Sequence, residues 1–125
     1  RVSVSKALGY EVESTRDWLM RTYHVKGNSI YECIQNNEIY NDIDAPDSLN
    51  HRYIFEDVPC GLVPLEDIGL RLGLSMDYTT LIIDLASKLL NIDFRRIGRT
   101  LEAIGIISDM ILMNCMVVPG GVVCE

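Results

Sequence analysis

Tyr78, Leu81, Ile82, Leu85 and Leu89 recur at the three- and four-residue spacing of a single helical stripe, while Asp84, Ser87, Lys88 and Asn91 gather on the other side. A strand alternates every second residue, so this stretch reads as an amphipathic helix, with Asp77 standing where an N-cap is expected. Similar signals recur along the chain. Val2, Val4, Ala7 and Leu8 read as the last turns of an apolar helix stopped by Gly9, and a domain that opens inside a helix is expected to be a piece of a longer protein. Ser14 to Asp17 resembles a capping box in front of Trp18, Leu19 and Tyr23, with Gly27 ending the run. Ser29 and Glu32 repeat that arrangement before Ile30, Cys33 and Ile34, in a helix expected to dissolve at Asn36 and Asn37. Leu62, Leu65, Ile68 and Leu72 form another stripe around the first-turn Pro64, with Gly73 as its stop, and a further helix is expected from about Thr100. Short links between such segments predict an all-α bundle of about five to seven helices.

Two stretches do not follow the helical period. Between Gly27 and Asn50 there is no Lys or Arg, while Glu32, Glu38, Asp42, Asp44 and Asp47 are acidic and Pro46 interrupts, so a solvated connection is expected. Arg52-Tyr-Ile-Phe-Glu-Asp57, rich in aromatic and branched side chains, predicts one extended segment closed by Pro59 and Gly61.

Composition excludes several functions. The 125 residues suit one domain, and 48% hydrophobic content is enough for a core. Eighteen acidic residues against eleven basic ones give a net charge of -7, the wrong sign for nucleic acid or an anionic membrane surface. Cys33, Cys60, Cys115 and Cys124 form no CxxC pair and have only His24 and His51 beside them. No metal site is expected, and the cysteines read as reduced thiols of a cytoplasmic protein. The longest apolar stretch, Ile104 to Val118, is broken by Ser108, Asp109 and Asn114 and falls short of the roughly 20 residues a membrane span needs. Within it, Met110, Met113 and Met116 read as a core-facing stripe.

The sequence shows no GxGxxG, no phosphate-binding GxxxxGK[ST], no HExxH and no serine elbow. What remains is His51, Arg52, Glu56 and Asp57, with Pro59 at the exit. Arginine's planar fork holds a carboxylate through two parallel hydrogen bonds, and a nearby aspartate can orient a histidine, which together suit a small keto or amino acid. Taken alone, the same residues read first as an ordinary surface ion pair of Arg52 with Glu56 or Asp57. His51 reads as a structural, hydrogen-bonded histidine, and His24 as a residue placed by its helix C-terminus.

The run His51-Arg-Tyr-Ile-Phe-Glu-Asp-Val-Pro-Cys-Gly-Leu-Val-Pro64 resembles the hallmark of the octopine and nopaline dehydrogenase family, in the helical domain that follows its nucleotide-binding domain. The resemblance extends upstream through Ala7-Leu-Gly9, Trp18-Leu19, Tyr23, Ser29-Ile-Tyr-Glu32, Tyr40 and Ala45-Pro46. Downstream it runs through Tyr78 to Ser87, Asp93-Phe94 and Gly98-Arg-Thr-Leu-Glu102, so it covers about residues 1 to 106. Family enzymes join an amino acid to a 2-oxo acid and reduce the imine with NADH or NADPH. The resemblance therefore implies a helical substrate domain over 1–106, a weakly matching tail over 107–125, and a Rossmann domain outside this chain that binds most of the NAD or NADP. It implies that Arg52 clamps the oxo-acid carboxylate and that Asp57 partners a catalytic histidine lying before Arg1, a histidine distinct from His51. Tyr53, Glu56 and Cys60 would form walls of the substrate site.

The partners implied are the amino acid, the 2-oxo acid and the Rossmann domain of the same protein, with no nucleic acid and no membrane; a homodimer stays open. Detached from its cofactor domain, the chain is expected to be inactive. Asp77 departs from a proline usual in the family, one helix-start device exchanged for another, and Cys60 stands where relatives often carry an aromatic or small residue. Two alternatives stand beside this reading. One is the helical domain of another two-domain dehydrogenase, of ketopantoate reductase-like or 2-hydroxy-acid type; the other is a non-enzymatic helical interaction module.

Overall fold

The structure, a computed structural model, describes residues 1–106; the Met110, Met113 and Met116 stripe lies outside the described residues. The helices are Val2–Ala7 (α1), Thr15–Tyr23 (α2), Ile30–Gln35 (α3), Arg52–Asp57 (α4), Val63–Arg71 (α5), Asp77–Leu90 (α6) and Phe94–Ile97 (α7). Among the described residues there is no strand, and the domain is all-α as the sequence predicts. The described residues divide into two compact units, one of Arg1, Ser3–Tyr10 and the described residues from Ser48 on, the other of Val2 and Glu11–Asp47.

In the unit of Glu11–Asp47 the two helix starts fall where the sequence predicts them, whereas α2 stops before the expected Gly27. Ser14 Oγ accepts from the Asp17 N–H at 3.1 Å and donates to the Asp17 carboxylate at 2.6 Å, starting α2. Ser29 Oγ accepts from the Glu32 N–H at 3.1 Å while the Glu32 carboxylate reaches back to the Asn28 N–H at 2.7 Å, starting α3. Helix α2 ends at His24, in the left-handed conformation at φ 56°, and α3 ends at Asn36. Leu19 and Cys33 are its buried apolar anchors.

The other unit holds the site. Here the extended segment expected near Arg52 proves to be α4. The His51 ring Nδ1 accepts from the Tyr53 N–H at 3.3 Å to start the helix, and Ile54 and Val58 turn inward onto the core. Branched and aromatic residues favour strands only where a sheet offers them a face to pack on. Pro59 and Gly61 do not close this segment either. Pro59 has no N–H and its ring would collide with the carbonyl four residues back, so the backbone widens into a π-helical turn over Val58–Leu62 that leads into α5.

Val58, Val63, Ile83, Ala86 and Phe94 form the core, with Ile54, Leu62, Leu90 and Ile92 packed around it. The face that α6 gives to this core is therefore Ile83 and Ala86, while Tyr78 is 85% exposed and Leu81 61%. Asp77 is the first residue of α6, not its N-cap, which is Met76; its carboxylate accepts from the Ser75 hydroxyl at 2.6 Å and sits favourably in the first turn. The short α7 is capped by Asp93, whose carboxylate accepts from the Arg96 N–H at 3.0 Å. The helix expected from about Thr100 does not form over 101–105. That stretch is a turn, ended by Gly105 at φ 78° and closed by the Ile106 N–H on the Leu101 carbonyl at 2.8 Å.

Candidate functional site

Successive residues of a helix turn by about 100°, so Arg52, Tyr53, Glu56 and Asp57 fall within about 140° of one another on α4. All four are exposed, opposite the inward-facing Ile54 and Val58, and Cys60 is exposed in the π turn that follows. The structure thus brings Arg52, Tyr53, Glu56 and Asp57 onto one solvent-facing surface and leaves Cys60 beside it.

Arg52 Nη2 donates to Glu56 Oε2 at 3.0 Å, four residues on, and the Arg52 side chain is 70% exposed. The hydrogen bond to Glu56, then its charge and that of Asp57, raise the guanidinium above the ordinary arginine value, so it stays cationic throughout the working pH range. One guanidinium edge is engaged with Glu56, and a bidentate carboxylate ligand would have to share or displace that contact. Asp57 receives no hydrogen bond among the described residues, so its oxygens stand open to a donor. The ring nitrogen of His51 is occupied in starting α4, and the ring meets Tyr53 edge-on with centroids 4.4 Å apart.

Sequence reasoning missed a second polar centre. Glu66 on α5 is only 4% exposed. Arg95 of α7 grips it bidentately, Nε on Oε2 at 2.6 Å and Nη2 on Oε1 at 2.7 Å, and the Thr80 hydroxyl donates to Oε1 at 2.6 Å. The remaining Arg95 nitrogen donates to Asp84 of α6. The hydrogen bond from Arg95 holds the Glu66 carboxyl below the usual range against the opposing effect of burial, and Glu66 in turn raises Arg95. Glu66, Thr80 and Arg95, with Val63, Asp67, Leu70 and Thr100, line a cavity of about 480 Å³. Partners 29 positions apart leave no local sequence signal.

Among the described residues no three His, Cys, Asp or Glu side chains gather as for a metal, and no helix is long and apolar enough to cross a membrane.

These features define a small all-α domain with an exposed polar face on α4. Residues 1–90 match the family described as NAD/NADP octopine/nopaline dehydrogenase, alpha-helical domain, and the chain belongs to that family. An opine dehydrogenase of Arthrobacter sp. (strain 1C) is 40% identical over 106 residues, 85% of this chain and 30% of that protein. The proteins named ocs of Agrobacterium tumefaciens (strain Ach5) and Agrobacterium vitis are each 30% identical over 106 residues, with the same coverage. The chain thus spans about 30% of the length of the curated relatives it matches. The family that residues 51–64 resemble is the family matched, and its description names NAD/NADP.

Proposed function

We propose that this chain is the substrate-handling domain of an opine dehydrogenase-like enzyme that condenses an amino acid with a 2-oxo acid and reduces the imine. NAD or NADP, held mainly by a separate nucleotide-binding domain, supplies the hydride. The work of this chain is binding and orientation. Arg52 clamps the oxo-acid carboxylate, and Asp57 accepts from a histidine outside these residues, keeping its ring oriented and its protonated form stabilised. Tyr53, Glu56 and Cys60 border the substrate. The chain alone, without that nucleotide-binding domain, is inactive, and the enzyme works in the cytoplasm. The observation that carries this reading is the shared exposed face of Arg52, Tyr53, Glu56 and Asp57 on α4, in a chain of this family.

The test is steady-state kinetics of the full-length enzyme with paired amino and oxo acids, the product identified as a secondary amine. Arg52→Lys keeps the charge but loses the fork, and KM for the oxo acid rises about tenfold or more. Glu56→Gln removes the competing carboxylate, and KM for the oxo acid falls. The structure also shows the Arg52–Glu56 ion pair that a purely structural reading requires. Unchanged KM values in both variants, or an alcohol as product, would favour that reading or another dehydrogenase chemistry.

A further inference from the structure

Pro59 and Pro64 stand five residues apart across the turn that joins α4 to α5. In an α-helical ladder the Pro59 carbonyl would accept from the Val63 N–H, but that N–H goes to the Val58 carbonyl. In a π-helical ladder it would accept from residue 64, a proline with no N–H to give. Pro59 is buried, so the sequence leaves a buried carbonyl without a helical partner. The Arg99 N–H fills the vacancy, donating to Pro59 O at 2.9 Å.

That donor arrives only because residue 98 is glycine. A Cβ there would lie 2.7 Å from the Phe94 carbonyl oxygen and 2.7 Å from Val63 Cγ1. Phe94 is 0% exposed and Val63 1%, so neither neighbour has room to yield. Gly98 has an ordinary backbone, at φ -79° and ψ 167°, and the demand for glycine is therefore one of space. The strap continues along α5, where the Leu101 N–H donates to Asp67 Oδ2 at 2.8 Å and the Leu101 side chain is buried.

The π turn sets how α4 is rotated about its axis relative to α5. Each residue by which such a turn tightens or widens swings the preceding helix by about 100°. We propose that Gly98 is a positioning residue for the α4 face: by admitting the Arg99 N–H to the Pro59 carbonyl it locks the width of the turn, and so the direction in which Arg52 and Asp57 point. This rests on the roles given to Arg52 and Asp57 above.

The experiment compares full-length Gly98→Ala, Arg99→Pro and Asp57→Asn enzymes with the native one, at a temperature where each is folded by circular dichroism. Arg99→Pro deletes the donor without crowding Val63. Removing or turning away the Asp57 carboxylate lowers the pKa of the histidine it supports, so Asp57→Asn displaces the corresponding limb of the kcat pH profile to lower pH. The strap variants are expected to move that limb the same way and to lose about tenfold to a hundredfold in kcat, as small misplacements of reacting groups do, with KM for NAD(P)H unchanged. Native kcat and a native profile in the folded strap variants, beside an impaired Asp57→Asn enzyme, overturn the inference while leaving the site reading intact. Failure of both strap variants to fold overturns it too, since the strap is then structural. A native profile in Asp57→Asn removes the site reading itself.

Discussion

Glu66 holds a full charge where only 4% of its surface meets water, and it can do so because two Arg95 nitrogens and the Thr80 hydroxyl meet its two oxygens. The two halves of the pair are not equally exposed, since the Arg95 side chain remains 38% accessible and keeps Asp84 as a second partner. Arg95→Ala, which strands a buried carboxylate, is expected to cost about 3 kcal/mol, and Glu66→Gln, which leaves a half-solvated guanidinium, about 1 kcal/mol. Denaturant titrations of the two variants check that order. The sign with pH follows from the lowered Glu66 pKa. Its contribution is fully present above the unfolded glutamate value near pH 4.3 and drains away as pH falls through the lower folded value. Thermal melts should show this loss below about pH 4.3, and Glu66→Gln should flatten it. An unaltered acid limb in that variant assigns the loss to other carboxylates. None of this was legible in the sequence, where Glu66 looks like any helical surface residue. The Arg52–Glu56 pair, four positions apart on one helix, was legible for the opposite reason.

Elements whose limits are set by neighbours in sequence were readable, and those set by distant partners were not. The boxes at Ser14 and Ser29 and the stop at Gly73, φ 72°, operate within a few residues and fall where the sequence places them. Residues 52–57 were misread as extended because strand preference is a statement about packing surfaces, and here the surface is Phe94, some forty residues on. Helix α4 is six residues long, too short to persist on local preference alone, so its cap and its core contacts decide it. His51 supplies the cap, and asparagine is among the best residues for that position. His51→Asn in the full-length enzyme is therefore expected to keep both folding and the kcat pH profile, whereas His51→Ala loses about 0.5–1 kcal/mol of stability with the profile still native. Disappearance of the histidine limb in His51→Asn would make His51 the catalytic base and strip Asp57 of its assigned partner.

Over the whole chain the least expected feature is that α6 is apolar on two sides. Ile83 and Ala86 face the core, while Tyr78, Leu81, Ile82, Leu85 and Leu89, the stripe that announced the helix in the sequence, are 50–85% exposed. Periodicity established that a helix exists without establishing which face the core would take, because Ile83, Ala86 and Leu90 continue the apolar surface around the helix from that stripe, leaving only the Asp84, Ser87 and Lys88 side polar. The curated relatives, of which the chain spans about 30%, do have further chain to cover such a stripe. A contiguous row of five large side chains also exceeds the scattered exposed apolar residues normal for a soluble surface. The 125-residue chain on its own should therefore bind an apolar-surface dye such as ANS and elute from gel filtration ahead of its 14.1 kDa, despite a net charge of -7 that opposes self-association. Leu81→Lys with Leu85→Lys, both on that stripe and away from Ile83, should abolish dye binding and restore a monomer while leaving the helical circular dichroism intact. A native chain that is already monomeric and dark to the dye would place the cover for this stripe within residues 1–125.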